Sequence, residues 1–440
     1  MNYQHRITIT LFIIFMIACP SSVSLNELQI KIWQPEGQDV FSESNSVHLL
    51  TTTAQGIHFE SEAQSLSELN SDLESLTPSD TPLDFILTIK NSNEIYLGYI
   101  EAHQVHWPSD TMEAKQKEAL MFVGPPNKTV PLTNGYPPSL TRTVACQASN
   151  GALVLGSSLE QTTNSQVETY YMDLENRTLK AGPVIANITT DAKCTLDANN
   201  NVYIYGGCNG TNPFGGLLRT TLETSTDIEL LLNSTERNSC DTDLQATNEK
   251  IWLVDGVNVE LRNLDGSLVD ELELSTEGPY RLALDKSLNS NQIWLWHTNN
   301  NSQPALVLLE HIDSAWALKE VSLEGSLLHV GHDRNGKVKV LTTEGLYDLR
   351  ENDEPNLILD APLIFDNRFQ PETFIESQPE RWVFLNAEGT VLRMIEGSAN
   401  KDIIVEYPTP HAQLFRGPSG AIFIAGGTSS GIHLLITDSF

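Results

Sequence analysis

The sequence predicts an all-β chain, folded as a β-propeller of about eight four-stranded blades, with seven to nine blades compatible with the pattern. Two observations indicate this fold: apolar strand-like segments alternate with Asn/Gly/Ser-rich turns along most of the 440 residues, and the alternation is periodic. The second strand of successive units begins near Ile95, Ala152, Val202, Ile251, Ile293, Val338, Trp382 and Ala421. Spacings of roughly 40–50 residues with four strands per unit are typical of propellers.

The clearest unit begins at Leu327. Its strand-like segments alternate in hydropathy or are continuously apolar, and the turns between the first three contain Asn335–Gly336 and Glu344–Gly345. Asn-Gly adopts the positive φ angles of a tight hairpin at low cost, so it favours an antiparallel pair. The four predicted strands of this unit are LLHVGHD (327–333), KVKVLTT (337–343), LYDLRE (346–351) and NLILD (356–360).

Three segments resemble known blade repeats. HDRNGKVKVLTTEGLYDL (332–349) is similar to the repeat of extracytoplasmic sensor propellers of the two-component-regulator type. LDANNNVYIYGG (196–207) and GAIFIAGG (420–427) resemble kelch and NHL blades. The resemblance implies a secreted β-propeller superfamily. It transfers no functional residue, because the kelch Tyr and Trp are missing and Val338 and Val340 stand where the sensor repeat has an aromatic residue.

Ring closure is predicted to involve the N-terminal strand. The last unit ends with its third strand, GIHLLITDS (431–439). Segment LQIKIWQ (28–34) alternates in hydropathy and stands alone after the predicted signal peptide, outside the repeated units. An open ring would expose strand edges, so segment 28–34 is expected to complete the last blade. Residues 25–440 are then one propeller domain, with acidic irregular insertions near 64–82 and 107–120. Segment 46–63 resembles two further strands, and would be a ninth unit.

Residues 1–24 are predicted to be a signal peptide. His5 and Arg6 precede an apolar segment (7–18), which is followed by small residues, and this order is typical of secretory signals. The alternative is a lipid anchor on Cys19. Both predict a secreted or periplasmic protein without a transmembrane helix, because the apolar segment is too short to span a bilayer.

Four cysteines remain after such a signal peptide, and an even number in an exported chain favours disulfides. Cys146 and Cys194 occupy similar places in the first strands of adjacent units. Cys208 and Cys240 are expected on one rim of the ring. We therefore predict the pairs Cys146–Cys194 and Cys208–Cys240, with buried thiols as the alternative.

The charge balance limits the partners. The chain has 26 Lys+Arg and 57 Asp+Glu, a formal net charge of −31. Such a surface repels phosphate backbones, so nucleic-acid binding is not expected. A protein or glycan ligand is predicted for a monomeric chain that needs no cofactor.

No motif establishes a reaction. Ser429 lies in a G-x-S-x-G pattern but in a hairpin, without the strand-to-helix elbow of a hydrolase. Asp197 begins an incomplete calcium-loop pattern. The remaining candidates are scattered acids and a histidine: Asp285, His332 and Asp333 near turns, which are expected on the hairpin face, and Glu376 in a strand.

We therefore assign no catalytic or metal-binding residue. The sequence favours an exported, non-catalytic binding or scaffold propeller. The alternative is an exported enzyme that acts on polysaccharide through carboxylates at the channel mouth.

Overall fold

The fold is taken from a computed structural model of the chain. It describes residues 22–25, 28–33, 40–73, 79–107, 117–131, 142–147, 153–159, 166–173, 178–186, 192–197, 199, 201–209, 212–213, 215–221, 228–234, 241–274, 279–298, 305–349, 354–406, 410–417, 420–425 and 432–437. Two compact units result: unit 1 comprises residues 1–127, 418–421 and 436–438, and unit 2 comprises the remainder. Most of the predicted signal peptide lies outside the described residues.

Unit 1 contains two sheets. The smaller is formed by β1 (Ser22–Leu25), β2 (Leu28–Trp33) and β7 (Lys117–Phe122), with β2 parallel to β7. The larger is antiparallel, in the order β4-β3-β5-β6, and its strands are β3 (Ser46–Thr53), β4 (Gly56–Ala63), β5 (Ser79–Lys90) and β6 (Tyr96–Trp107). Segment 46–63 is thus a hairpin, as its alternation predicts, but it shares a sheet with 79–107 and is not a blade of its own.

A helix, α1 (Leu66–Leu73), occupies the first predicted insertion, which was expected to be irregular. The Ser65 hydroxyl accepts the Glu68 N–H (3.2 Å), and the Glu68 carboxylate accepts the Gln64 N–H (2.7 Å). This reciprocal pattern closely resembles a capping box and satisfies N–H groups at the start of the helix. In the second predicted insertion, residues 108–116 lie outside the described residues.

Unit 2 forms the propeller. Seven four-stranded antiparallel sheets follow one another, and in the first six the strand order matches the chain order. Seven blades lie within the predicted range of seven to nine. The blades have these strands: blade 1, β9 (Arg142–Gln147), β10 (Leu153–Leu159), β11 (Gln166–Asp173) and β12 (Thr178–Ala186); blade 2, β13 (Lys193–Leu196), β14 (Asn201–Tyr205), β17 (Gly215–Thr221) and β18 (Glu229–Ser234); blade 3, β19 (Thr242–Ala246), β20 (Lys250–Asp255), β21 (Asn258–Asn263) and β22 (Leu268–Glu273); blade 4, β23 (Arg281–Ala283), β24 (Gln292–Trp296), β25 (Leu306–Ile312) and β26 (Ala315–Glu320); blade 5, β27 (Leu327–His332), β28 (Val338–Thr342), β29 (Gly345–Asp348) and β30 (Asn356–Asp360); blade 6, β31 (Pro371–Gln378), β32 (Arg381–Asn386), β33 (Val391–Glu396) and β34 (Ala399–Ile404); blade 7, β35 (Gln413–Arg416), β36 (Ile422–Ala425), β37 (His433–Leu435) and β8 (Thr129–Pro131).

Two short elements lie outside this pattern. β15 (Cys208–Asn209) and β16 (Asn212–Pro213) make a small hairpin, and helix α2 (Ala361–Ile364) follows blade 5. Within the described part of the chain, no helix is long and apolar enough to span a membrane.

Apolar side chains fill the spaces between neighbouring blades. One cluster joins blades 3 and 4 and contains the fully buried Trp252. The indole N–H of Trp252 donates to the Ser290 carbonyl of blade 4 (3.2 Å), so its polar atom is satisfied. First strands contact across blade boundaries, and β35 of the last blade contacts β9 of the first. Stacking buries sheet faces that one blade cannot bury alone, and this explains the periodic apolar strands.

The closing strand differs from the prediction. β8, not the N-terminal segment 28–34, is the fourth strand of blade 7, with Val130 opposite Leu434. The N-terminal strand β2 instead pairs with β1 and β7. β8 is further held by an ion pair between Lys128 Nζ and Glu406 Oε1 (3.1 Å). The physical reason is that β7 offers β2 an apolar partner, and β8 already occupies the open edge of blade 7.

Candidate functional site

Every first strand of the propeller runs in the same direction, because each blade has four antiparallel strands and the chain returns to one rim before the next blade begins. We call this the entry rim. The opposite side, where first and second strands are joined by turns, is the hairpin end. The two sides carry different sets of charged residues.

The candidates from the sequence lie toward the hairpin end, and their polar atoms are hydrogen-bonded. One oxygen of Asp333 accepts the N–H groups of Asn335 (2.8 Å) and Lys337 (2.9 Å), while the other pairs with Lys339 Nζ (2.8 Å). His332 Nε2 donates to the Leu284 carbonyl of the preceding blade (2.8 Å). Asp333 therefore stabilises the turn between β27 and β28, and His332 links β27 to blade 4.

Glu376 and Asp285 also link blades. One Glu376 oxygen accepts the Arg334 N–H of blade 5 (2.8 Å), and the other accepts the Glu380 N–H (2.9 Å). Asp285 accepts the Val338 N–H of blade 5 (2.9 Å) with one oxygen and the Ser287 N–H (2.8 Å) with the other. The structure therefore brings these residues together as cross-links between blades 4, 5 and 6.

Arg416 extends this network into blade 7. Its guanidinium donates to the Glu376 carbonyl oxygen. Burial lowers the pKa of Arg416 to about 10, although the nearby charges of Glu376 and Asp333 oppose the shift. Arg416 thus links blade 7 to blade 6 through a hydrogen bond.

The entry rim holds a cluster that the sequence reasoning did not identify. Lys193 opens the first strand of blade 2, Thr242 and Asp243 open that of blade 3, and Arg281 opens that of blade 4. We call these four residues the rim cluster. The sequence signal was a charged residue at the first or second position of consecutive first strands, visible only once the strand starts are known.

Asp243 is the buried centre of the rim cluster. One carboxylate oxygen accepts the Leu282 N–H of blade 4 (2.8 Å), and the other accepts the Leu244 N–H (2.9 Å). Burial raises the pKa of Asp243, and the positive charges of Lys193 and Arg281 act in the opposite direction. The Asp243 carboxylate thus accepts a hydrogen bond from a backbone N–H group of β23, the first strand of blade 4.

Arg281 and Thr242 complete the geometry. Arg281 Nη1 donates to the carbonyl of Thr242 (3.2 Å) and, at 3.4 Å, to that of Tyr280. The Thr242 hydroxyl is buried, and within the described residues it has no hydrogen-bond partner. Gly206 (φ +70°) packs directly against this hydroxyl, so any Cβ there would collide with it.

Two cysteines lie beside the rim cluster. The Cα atoms of Cys146 and Cys194 are 5.8 Å apart with their sulfurs at bonding distance, joining the first strands of blades 1 and 2. This spacing suits a disulfide. Cys208 lies in β15, whereas Cys240, its predicted partner, lies outside the described residues.

The calcium-like segment forms a turn. The Asp197 carboxylate accepts N–H groups of Asn199 (2.8 Å) and Asn201 (2.9 Å) as well as the Tyr203 hydroxyl (3.2 Å). Across the described residues, no group of three or more His, Cys, Asp or Glu side chains is placed to hold a metal ion.

Comparisons with known proteins support the fold. No protein-family model matches the chain, and no curated protein matches it. The crystal structure of virginiamycin B lyase from Staphylococcus aureus superimposes with a TM-score of 0.50 at 12% identity, covering 70% of this chain and 98% of that chain. The WD40 domain of Pan2 from Neurospora crassa gives 0.46 at 8% identity, covering 70% and 95%. At 12% identity, the likeness to the lyase structure shows the propeller fold and not the activity.

Proposed function

We propose that the chain is an exported, non-catalytic binding or scaffold module whose propeller presents the entry rim to a protein or glycan ligand. The observation that carries the proposal is the use of the carboxylates. Asp243, Asp285, Asp333 and Glu376 each accept backbone N–H groups with at least one oxygen, and Asp333 also pairs with a lysine. Three of these carboxylates link neighbouring blades and Asp333 holds a turn of blade 5, so all four are poorly placed for proton transfer to a substrate.

Export is supported by two features. Residues 1–24 have the order of a signal peptide, with lipidation of Cys19 as its alternative. Cys146 and Cys194 lie at disulfide distance, and disulfides persist in oxidising compartments. These two features support a periplasmic or extracellular protein as part of the proposal.

The second candidate is glycan cleavage at the entry rim, favoured by one observation. Burial raises the pKa of Asp243, as a general acid requires. Both carboxylate oxygens of Asp243 already accept hydrogen bonds, from the backbone N–H groups of Leu282 and Leu244. This weakens the candidate, because proton transfer to a substrate would have to break one of these hydrogen bonds.

A combined binding and turnover assay separates the two functions. The full chain is incubated with an oligosaccharide panel, ligand binding is measured by calorimetry, and products are sought by mass spectrometry. Binding without product formation supports the binding module. Turnover that disappears in Asp243→Asn would overturn it in favour of the enzyme.

A further inference from the structure

We propose that β22, the fourth and outermost strand of blade 3, binds an extended basic segment of a partner protein by strand addition. This surface is separate from the entry rim, so the inference goes beyond the proposed function. Within the described residues, β22 (Leu268–Glu273) pairs with β21 alone, as the last strand in the order β19-β20-β21-β22. One edge of β22 is therefore open to another strand.

The hydrogen-bond pattern shows which backbone groups of β22 face outward. The Leu274 N–H donates to the Val257 carbonyl (2.8 Å), and backbone groups along a strand alternate in direction. The N–H and C=O groups of Asp270 therefore point toward β21, whereas those of Glu271 and Glu273 point away from it. The outward Glu271 N–H donates to Asp270 Oδ1 (2.9 Å). The Glu271 carbonyl and both backbone groups of Glu273 are left to pair with an added strand.

The side chains on this edge are acidic and apolar. Glu271 and Glu273 are exposed, and among the described residues neither carboxylate makes an ion pair or a hydrogen bond. Leu268 and Val269 are 47% and 38% exposed. An added strand would therefore find two unpaired negative charges and apolar surface next to them.

Two positive groups lie beside the edge, and each has an acidic partner. The Arg262 guanidinium pairs with Glu260 (2.7 Å), which lies opposite Glu271 on β21. His311 Nε2 of blade 4 lies 2.9 Å from Asp270 Oδ2. The two unpaired glutamates thus leave this edge with an excess of negative charge, in a chain whose formal net charge is −31.

Most other outermost strands carry residues that discourage such pairing, since lysine and proline protect an edge strand. These residues are Lys180 and Pro183 in β12, Lys319 in β26, Lys401 in β34 and Pro131 in β8. β22 (LVDELE) has neither lysine nor proline. β18 and β30 lack them too, but Glu229 of β18 pairs with Arg219, and Asp360 is the one acid of β30. β22 is therefore the edge best suited to a basic strand.

The charges on the edge select the partner. Opposite charges directly across two strands attract and like charges repel, so a second acidic strand, including β22 of another copy, is disfavoured. Glu271 and Glu273 are two positions apart and lie on the same face of β22. The matching segment therefore has lysine or arginine at alternate positions, followed by apolar residues that meet Leu268 and Val269.

Fluorescence polarisation of the labelled peptide TKTKTVTVT, titrated with the full-length protein, tests the inference. In an antiparallel register its two lysines lie opposite Glu273 and Glu271, and its first valine lies beside Val269. We expect saturable binding, and the peptide with glutamate in place of lysine should bind at least about tenfold more weakly. No saturable binding up to about 1 mM protein would overturn the inference.

Two modified peptides separate strand addition from attraction by charge alone. N-methylation of the lysines and valines removes the N–H groups that face β22, so it should weaken binding by at least about tenfold. N-methylation of the threonines leaves those N–H groups in place and should weaken binding much less. Equal binding by the two peptides would contradict strand addition.

The double variant Glu271→Lys with Glu273→Lys should weaken binding by at least about tenfold, because it places like charges opposite the lysines of the peptide. Glu354→Lys with Asp360→Lys is the matched control. These two acids are exposed, lie in or just before β30 of blade 5, and change the net charge equally when replaced. The control should bind like wild type, and thermal melts show that each variant is folded.

The outcomes separate the inference from the proposed function. Equal loss of binding in the two double variants, or wild-type binding by the β22 variant, would overturn the assignment to β22 and leave the proposal for the entry rim standing. Turnover of the oligosaccharide panel would overturn the non-catalytic module and leave peptide binding at β22 unaffected.

Discussion

Lys339 shows how single residues stabilise the hairpin end. Its side chain is buried in blade 5, and Nζ lies 2.8 Å from Asp333 Oδ2 and 2.7 Å from Asp348 Oδ1. Burial lowers the pKa of Lys339, but its hydrogen bonds to the two aspartates outweigh burial and raise the pKa above its usual value. A buried cation of this kind is tolerated only while both partners are present.

Replacing Lys339 by Met should therefore destabilise the protein by about 3–5 kcal/mol, because two carboxylates lose their cation. The free energy of unfolding from denaturant titration measures the loss. Lys337→Met, at an exposed position of the same hairpin, is the control and should change stability by less than about 0.5 kcal/mol. Equal effects of the two substitutions would show that the ionic cluster contributes nothing.

His329 gives a pH-dependent prediction. Its ring lies edge-on to Trp296 (5.8 Å) and to Phe374 (5.7 Å). Burial, assisted by the charge of His332, lowers its pKa to about 4 from 6.5. The unfolded chain binds the proton first as pH falls, so His329 should remove up to about 3 kcal/mol of stability between pH 6.5 and pH 4.

The variant His329→Phe retains an aromatic ring between Trp296 and Phe374 but cannot titrate. Its melting temperature should fall less than that of wild type between pH 7 and pH 4.5. Parallel melting curves for the two proteins over this range would contradict the assignment. His332 keeps its own dependence in both proteins, because burial lowers its pKa as well.

At the level of elements, the sequence predicts strands better than their partners. The hairpin at Asn335–Gly336 and the alternating strand after it agree with the structure. Helix α1 was missed although Ser65 and Glu68 form a recognisable capping pattern. The unit whose second strand begins near Ile95 is predicted to be a blade, but its strands β5 and β6 share a sheet with β3 and β4 in unit 1. Strand pairing depends on distant segments as well as on local alternation.

The rim cluster could not be predicted for a related reason. Lys193, Asp243 and Arg281 are separated by about 40–50 residues, and only blade stacking brings them together. Asp285 and Asp333, by contrast, were recognisable as turn residues because the groups they bind include N–H donors within four residues.

The hairpin between β25 and β26 offers a stabilising substitution. Asp313 and Ser314 have φ angles of +51° and +61°, a conformation that Asn-Gly adopts more easily. Changing the pair to Asn-Gly should raise the free energy of unfolding by up to about 1 kcal/mol, measured by denaturant titration. A loss of stability would contradict the turn assignment.

For the whole molecule, closure of the ring depends on the strand that completes blade 7 and on the contact between the last blade and the first. The predicted architecture and blade range agree with the structure, but the closing strand does not. Segment 28–34 alternates in hydropathy, whereas Thr129–Pro131 has only three residues and includes a proline. Local pattern therefore favours segment 28–34 as a strand and does not reveal β8. Closure depends on which segment pairs with the free edge of β37, and in the structure this segment is β8.

A cysteine cross-link tests closure most directly. Val130 and Leu434 lie opposite each other on β8 and β37, at a separation suited to a disulfide. Val130→Cys with Leu434→Cys should form a disulfide under mild oxidation, detected by non-reducing peptide mapping, and Ile30→Cys with Leu434→Cys should not. Cross-linking of the second pair in place of the first would contradict closure by β8 and restore the N-terminal strand to the last blade.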